Sequence, residues 1–150
     1  MVATMPDGTD NAVAIETIEQ LVFLPGTPQQ VYDALTDPVQ HAAFTGADAT
    51  GEPAVGKTFT AWGGYIDGTY LVLVAGHRIV QEWRTTEWPS DAAPSVLDIT
   101  LEPTDGGCTL EMRQTVVPAD QADAYRDGWY ESYWMPLTEW LQGKGSSAPA

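Results

Sequence analysis

The sequence predicts one α+β domain: a curved antiparallel β-sheet wrapped around a long C-terminal α-helix, with two short helices after the first strand. Three observations carry this. Ala12 to Leu24 is rich in Val, Ile, Thr and Phe with partial alternation, the pattern of a strand. Lys57 to Val116 is a series of short apolar segments separated by glycine-bearing turns. After Pro118 the apolar residues recur at helical spacing. The 150 residues suit a single domain. Its expected limits are 12–142, between a disordered start at 1–11 and a disordered tail at 143–150, "GKGSSAPA".

Each element has its own signal. In "GTPQQVYDAL", Thr27 can cap a helix, Pro28 suits the first helical position, and Gln30 completes a capping box. "DPVQHAAF" repeats the device with Asp37, Pro38 and Gln40. Val31, Ala34, Leu35, Val39 and Phe44 are the expected inward residues of these two helices. "KTFTAW" leads to a turn at Gly63-Gly64, and "GTYLVLVAG" and "RIVQEWRTTEW" follow as strands. "SVLDITLEP" and "CTLEMRQTVV" make a hairpin through "TDGG". With Leu101 opposite Leu110, Ile99 faces Met112 and Leu97 faces Gln114 on one side. Asp98 faces Arg113 on the other and reads as a cross-strand ion pair. Pro118 ends the strands and Asp120 is the expected cap of the last helix.

Charge excludes whole classes of partner. Six Lys and Arg against twenty-one Asp and Glu give a formal net charge of -15. Such a surface repels a phosphate backbone, so no nucleic-acid partner is expected, and anionic membranes are disfavoured likewise. The carboxylates are scattered, which suits a solubilising surface better than an acidic docking face. No secretion signal or membrane-length apolar run stands out, so a cytoplasmic location is the default. The single Cys108 makes no internal disulfide.

"GWYESYWMPLTEW", Gly128 to Trp140, holds five aromatic residues. On a helical wheel centred on Trp129, Ala122, Tyr125, Tyr133, Pro136 and Trp140 fall within about 40° and form an ordinary buried stripe. Leu137, Tyr130, Leu141 and Trp134 carry the apolar arc on to about 140° on one side, wider than packing on a sheet requires. Pro136 removes a hydrogen bond and should bend or break the helix. The wide arc has two readings. The surplus rings pack against the short helices, or the helix lies across the curved sheet without filling it and aromatics line the gap. The candidate lining is Phe44, Phe59, Trp62, Tyr65, Tyr70, Trp83, Met112, Trp129, Tyr130, Tyr133, Trp134 and Leu137. Gln81 and Gln114, with the tyrosines, would orient a guest.

The catalytic inventory is thin. His41 and His77 have no orienting partner in sequence and read as packing or surface residues. No metal-ligand spacing, nucleophile elbow or phosphate loop is present, and no metal or cofactor is expected. Glu82 and Trp83 point to opposite faces of one strand; should Trp83 face outward, Glu82 would enter the pocket as a candidate acid or base.

The order of strand, two short helices, antiparallel strands and long C-terminal helix is that of the helix-grip (START/Bet v-like) fold. "FLPGTPQQVYDALTDPVQHAAFTGADA", "DGTYLVLVAGHRIVQEWRTTEWP", "ITLEPTDGGCTLEMRQTVVP" and "GWYESYW" resemble the C-terminal domain family of the activator of heat-shock protein 90 ATPase, within the START-like (SRPBCC) superfamily. The resemblance spans about Ile15 to Leu141. Its most specific pieces are "TDP" at Thr36–Pro38, Trp83-Arg84, Trp88-Pro89 and Gly128-Trp129. The resemblance to the eukaryotic activator is expected to lie in that protein's second half only, with no counterpart expected among these 150 residues for its N-terminal chaperone-docking domain. Family members often carry Gly-Gly before the third strand, where this chain has "AVGKTF". The wide aromatic arc, set in this fold, points to a domain that binds an apolar or aromatic small molecule between sheet and helix. The alternative, which the resemblance implies, is a chaperone-associated interaction protein. A third is an enzyme of the cyclase or hydrolase kind, which the sparse acid–base set does not support. Oligomeric state and ligand identity stay open.

Overall fold

A computed structural model describes residues 14–89 and 91–147. The chain runs β1 (Ile15–Leu24), α1 (Pro28–Thr36), α2 (Pro38–Thr45), β2 (Thr50–Gly51), β3 (Thr58–Ala61), β4 (Ile66–Val74), β5 (Arg78–Thr85), β6 (Ser95–Thr104), β7 (Gly107–Pro118), α3 (Ala119–Trp129) and α4 (Met135–Ser147). A single 3₁₀ turn, Trp62–Gly64, joins β3 to β4, and a π-helical turn, Tyr130–Trp134, joins α3 to α4. The seven strands form one antiparallel, curved sheet in the order β1-β7-β6-β5-β4-β3-β2. The expected disordered start 1–11 and residues 148–150 of the expected tail 143–150 lie outside the described residues, and α4 continues through Ser147, past the expected domain limit at 142.

Local chemistry explains the helix starts. The Thr27 side chain accepts from the Gln30 N–H at 3.0 Å, and Gln30 Oε1 accepts from the Thr27 N–H at 2.8 Å, the reciprocal capping box. Asp37 ends α1 and caps α2, accepting from the Val39 N–H at 3.0 Å. Two expectations here need correction. Val39 is 76% exposed, because the Asp37-Pro38 break turns α2 so that His41 faces inward with the expected Phe44. Asp120 does not cap α3: the helix starts at Ala119 behind Pro118, with no side-chain cap, and Asp120 sits in the first turn, where its charge complements the helix dipole.

The β6–β7 register is the predicted one, with Leu101 opposite Leu110, Ile99 opposite Met112, Leu97 opposite Gln114 and Asp98 opposite Arg113. The expected Asp98–Arg113 ion pair does not form. Asp98 accepts from Arg78 of β5 at 3.1 and 2.8 Å, a bidentate grip, and Arg113 turns to Glu19 of β1 at 3.8 Å. Each charged side chain had a second flanking strand to choose from, and the planar guanidinium fork took the better geometry.

The core lies between the inner sheet face and the helices, with α1 against β6 and β7, α3 against β1 and β7, and α2 against α4. Pro136 neither breaks the last helix nor kinks it apart. The preceding turn widens instead: the Met135 N–H bonds to the Tyr130 carbonyl, five residues back, which absorbs the bond that Pro136 cannot make. Opposite Thr17, β7 carries an extra residue, and Val116 there adopts φ 63°. A β-branched residue in this region is strained by about 1–3 kcal/mol, a cost held by the bulge where β7 swings into α3.

Candidate functional site

The aromatic residues of the last helix have two different fates. On one side, Trp134 is 2% exposed, stacks on Trp129 at 5.4 Å, and donates its indole N–H to Gln20 Oε1 at 2.7 Å. Gln20 in turn donates to the Arg126 carbonyl at 3.1 Å, and Arg126 pairs with Glu16 at 2.7 Å. Helix and β1 are thus stitched together, and Leu137 and Leu141 fill the space beyond. Tyr130, at 44% exposure, looks outward.

Beneath Trp129 a second polar chain is fully buried. Trp129 Nε1 donates to Gln114 Oε1 at 2.9 Å, Gln114 Nε2 donates to Ser95 Oγ at 3.1 Å, and Ser95 Oγ donates to the Trp83 carbonyl at 2.6 Å. Gln114 is 0% exposed, so each of these bonds replaces one that water would have made. The chain fixes Trp129 relative to Trp83, whose ring centroids lie 5.5 Å apart.

On the other side of Trp129 the helix leaves a cleft of about 390 Å³. The sheet side contributes Trp62, Tyr65, Ile66, Trp83 and the loop residue Glu87; the helix contributes Ala124, Tyr125, Gly128, Trp129, Ser132 and Tyr133. This volume falls within the range of small-molecule sites, roughly 300–1,000 Å³. Gly128 lies in its wall. A Cβ built on it would meet nothing within 4 Å, so packing does not demand a glycine there. Mid-helix glycine costs about 1 kcal/mol against alanine. Trp62 at the mouth has φ 54°, a conformation that a bulky residue rarely holds. Tyr65 donates its hydroxyl to Glu87 Oε1 at 2.8 Å. Tyr125, whose pKa burial pushes up to about 12, meets Thr85 Oγ1 at 2.7 Å.

Trp83, Trp129 and Tyr133 also form the wall of a second, smaller space beneath the helix, of only about 40 Å³. That is the scale of a few water molecules rather than a metabolite. Phe59, Tyr70, Gln81 and His41 border it. His41 is 8% exposed, and its Nε2 lies 3.0 Å from the Tyr133 hydroxyl. Its Nδ1 is the one buried side-chain polar atom without a partner among the described residues. Burial lowers the His41 pKa from 6.5 to about 4, so the ring is neutral near pH 7. Burial also raises the Tyr133 pKa well above the ordinary tyrosine value.

Of the expected lining, Trp62, Tyr65, Trp83, Trp129 and Tyr133 border the cleft. Phe59, Tyr70 and Gln81 border only the smaller space. Phe44 packs in the core against His41 and Trp140, while Met112, Gln114, Trp134 and Leu137 are core residues away from both spaces. Trp83 faces inward, which puts Glu82 on the outer sheet face and out of reach of the interior. His77 lies exposed in its turn. Glu87, Gly128, Ala124 and Ser132 were not singled out as lining, since apolar bulk is the usual sign of a pocket and these residues have none. The i, i+4, i+8 spacing of Ala124, Gly128 and Ser132, all small, was the available signal. Among the described residues no group of three His, Cys, Asp or Glu is placed to hold a metal ion, and no helix is long and apolar enough to cross a membrane.

A curved antiparallel sheet gripping a long C-terminal helix, with two short helices early in the chain, defines the START-like helix-grip class. Within it, the chain belongs to the family described as "Activator of Hsp90 ATPase homolog 1-like protein", whose sequence pattern matches residues 25–142. It is 34% identical over 105 residues to a Dictyostelium discoideum "Activator of 90 kDa heat shock protein ATPase homolog", covering 69% of this chain and 27% of that protein. The chain spans about a third or less of the length of this and the human relative, of which it covers 33%. The solved structure of an HSP90 activator from Plasmodium falciparum superposes with a TM-score of 0.78 at 18% identity, covering 84% of this chain and 96% of that one.

Proposed function

We propose that the chain is a small-molecule-binding domain whose guest, an apolar or aromatic molecule, sits in the cleft beside Trp129. The observation that carries this reading is Gly128: a helical glycine with open space where a side chain would go, in the wall of an aromatic-lined cleft. Residues that maximise stability would close that wall, and Trp62 adds a strained backbone at the same mouth. The test is native mass spectrometry and thermal-shift screening of the purified chain against apolar metabolites. Binding is expected in the wild type and lost in Gly128→Leu, which fills the cleft while leaving the helix intact. Retained binding in that variant, or no hit in either assay, overturns the reading.

A second reading, a chaperone-associated interaction protein, draws on the relatives named as activators of the 90 kDa heat-shock protein ATPase. A pull-down with that chaperone, together with stimulation of its ATPase, would favour it. The formal charge of -15 weighs against binding any acidic partner surface.

A further inference from the structure

Resting on the proposed cleft, we infer that its guest is an organic cation, a protonated amine or quaternary ammonium carrying an apolar body, rather than a fatty acid or other anion. Among the described residues, Glu87 is the only charged one in the lining, which holds no Lys, Arg or His. None of the ion pairs among the described residues involves Glu87. Arg84, three positions earlier, donates instead to the Pro89 and Ala92 carbonyls. The Tyr65 hydroxyl holds Glu87 Oε1 at 2.8 Å and so fixes the carboxylate at the rim.

The rest of the lining points the same way. Trp62, Trp83, Trp129, Tyr125 and Tyr133 surround the space, and aromatic rings attract cations through the negative potential over their faces. A carboxylate ligand would meet those rings, a fixed carboxylate and a surface of formal net charge -15. A cation would meet three attractions at once.

The experiment titrates the full chain with three probes, followed by tryptophan fluorescence: phenyltrimethylammonium, its neutral isostere tert-butylbenzene, and benzoate. The cation should bind about tenfold more tightly than the neutral isostere, and benzoate more weakly than either. Glu87→Gln should reduce the cation's preference to about threefold while leaving the neutral probe unchanged. Gly128→Leu should abolish both. Equal binding of cation and isostere, tightest binding of benzoate, or a cation preference that survives undiminished in Glu87→Gln would overturn the inference. If tert-butylbenzene binds and Gly128→Leu removes it while the cation gains nothing, the cleft reading stands and the cation inference falls. If no probe binds, the inference falls, and the metabolite screen decides the cleft reading separately.

Discussion

The two flanks of the C-terminal helix face the same sheet and are built to opposite ends. Toward β1 the helix presents the buried Trp134, Leu137 and Leu141, and the Gln20 and Arg126 bonds draw it onto the strand. Toward β4 and β5 it presents Ala124, Gly128 and Ser132, and a cleft of about 390 Å³ stays open. Trp129 divides the two, anchored from below by Gln114. The difference teaches that in a helix-grip domain a cavity is shaped by where side chains are small. The large aromatics are needed to hold its walls still.

Breaking the closed flank should have the largest effect. Trp134→Ala removes a fully packed indole and leaves Gln20 without its donor, so urea denaturation should show a loss of about 3–5 kcal/mol. A loss below 1 kcal/mol would mean the flank is not sealed.

The floor between the flanks should respond to pH through His41. Its folded pKa is depressed to about 4 from 6.5, so the unfolded chain takes up a proton that the fold refuses. This stability is fully present above pH 6.5, declines as pH falls, and is gone near pH 4. The full difference is about 3 kcal/mol. Since the carboxylates are common to both proteins, the measurement is the gap between wild type and His41→Gln across that window. A gap that does not change with pH would place His41 in a wetter site.

The open flank should behave in the contrary way. Gly128→Ala adds a methyl group into empty space and improves helix propensity, so the midpoint of thermal unfolding should rise, by the equivalent of about 0.5–1 kcal/mol. Affinity for any cleft ligand should fall in the same variant. Stability and binding changing together in one direction would contradict the view that Gly128 is kept for room.

The smallest effect belongs to the rim. Tyr65→Phe releases Glu87 but buries nothing new, so stability should stay within about 0.5 kcal/mol, as read by the denaturation midpoint.

Much of the fold was legible along the chain because its signals are local or pairwise. Thr27, Pro28 and Gln30 mark a helix start by backbone geometry alone, and Leu101 opposite Leu110 follows from the turn between them. Pro136 was visible as a defect, and its repair by a π turn was not, because the repair depends on what the widened turn packs against. The salt bridges of Asp98 and Arg113 were misassigned, since the hairpin shows each residue only one of its two neighbouring strands.

By itself, then, the sequence determined the element order, the caps of the two short helices, the hairpin register and the aromatic richness of the last helix, since these follow from backbone sterics and hydrophobic period. Only the tertiary structure decided that Trp134 seals one flank, that His41 lies beneath Tyr133, and that open space gathers around Gly128. Periodicity says which way a side chain points along its own helix. The distance to the opposing sheet, set by curvature and by every other side chain at once, says whether anything is there to meet it.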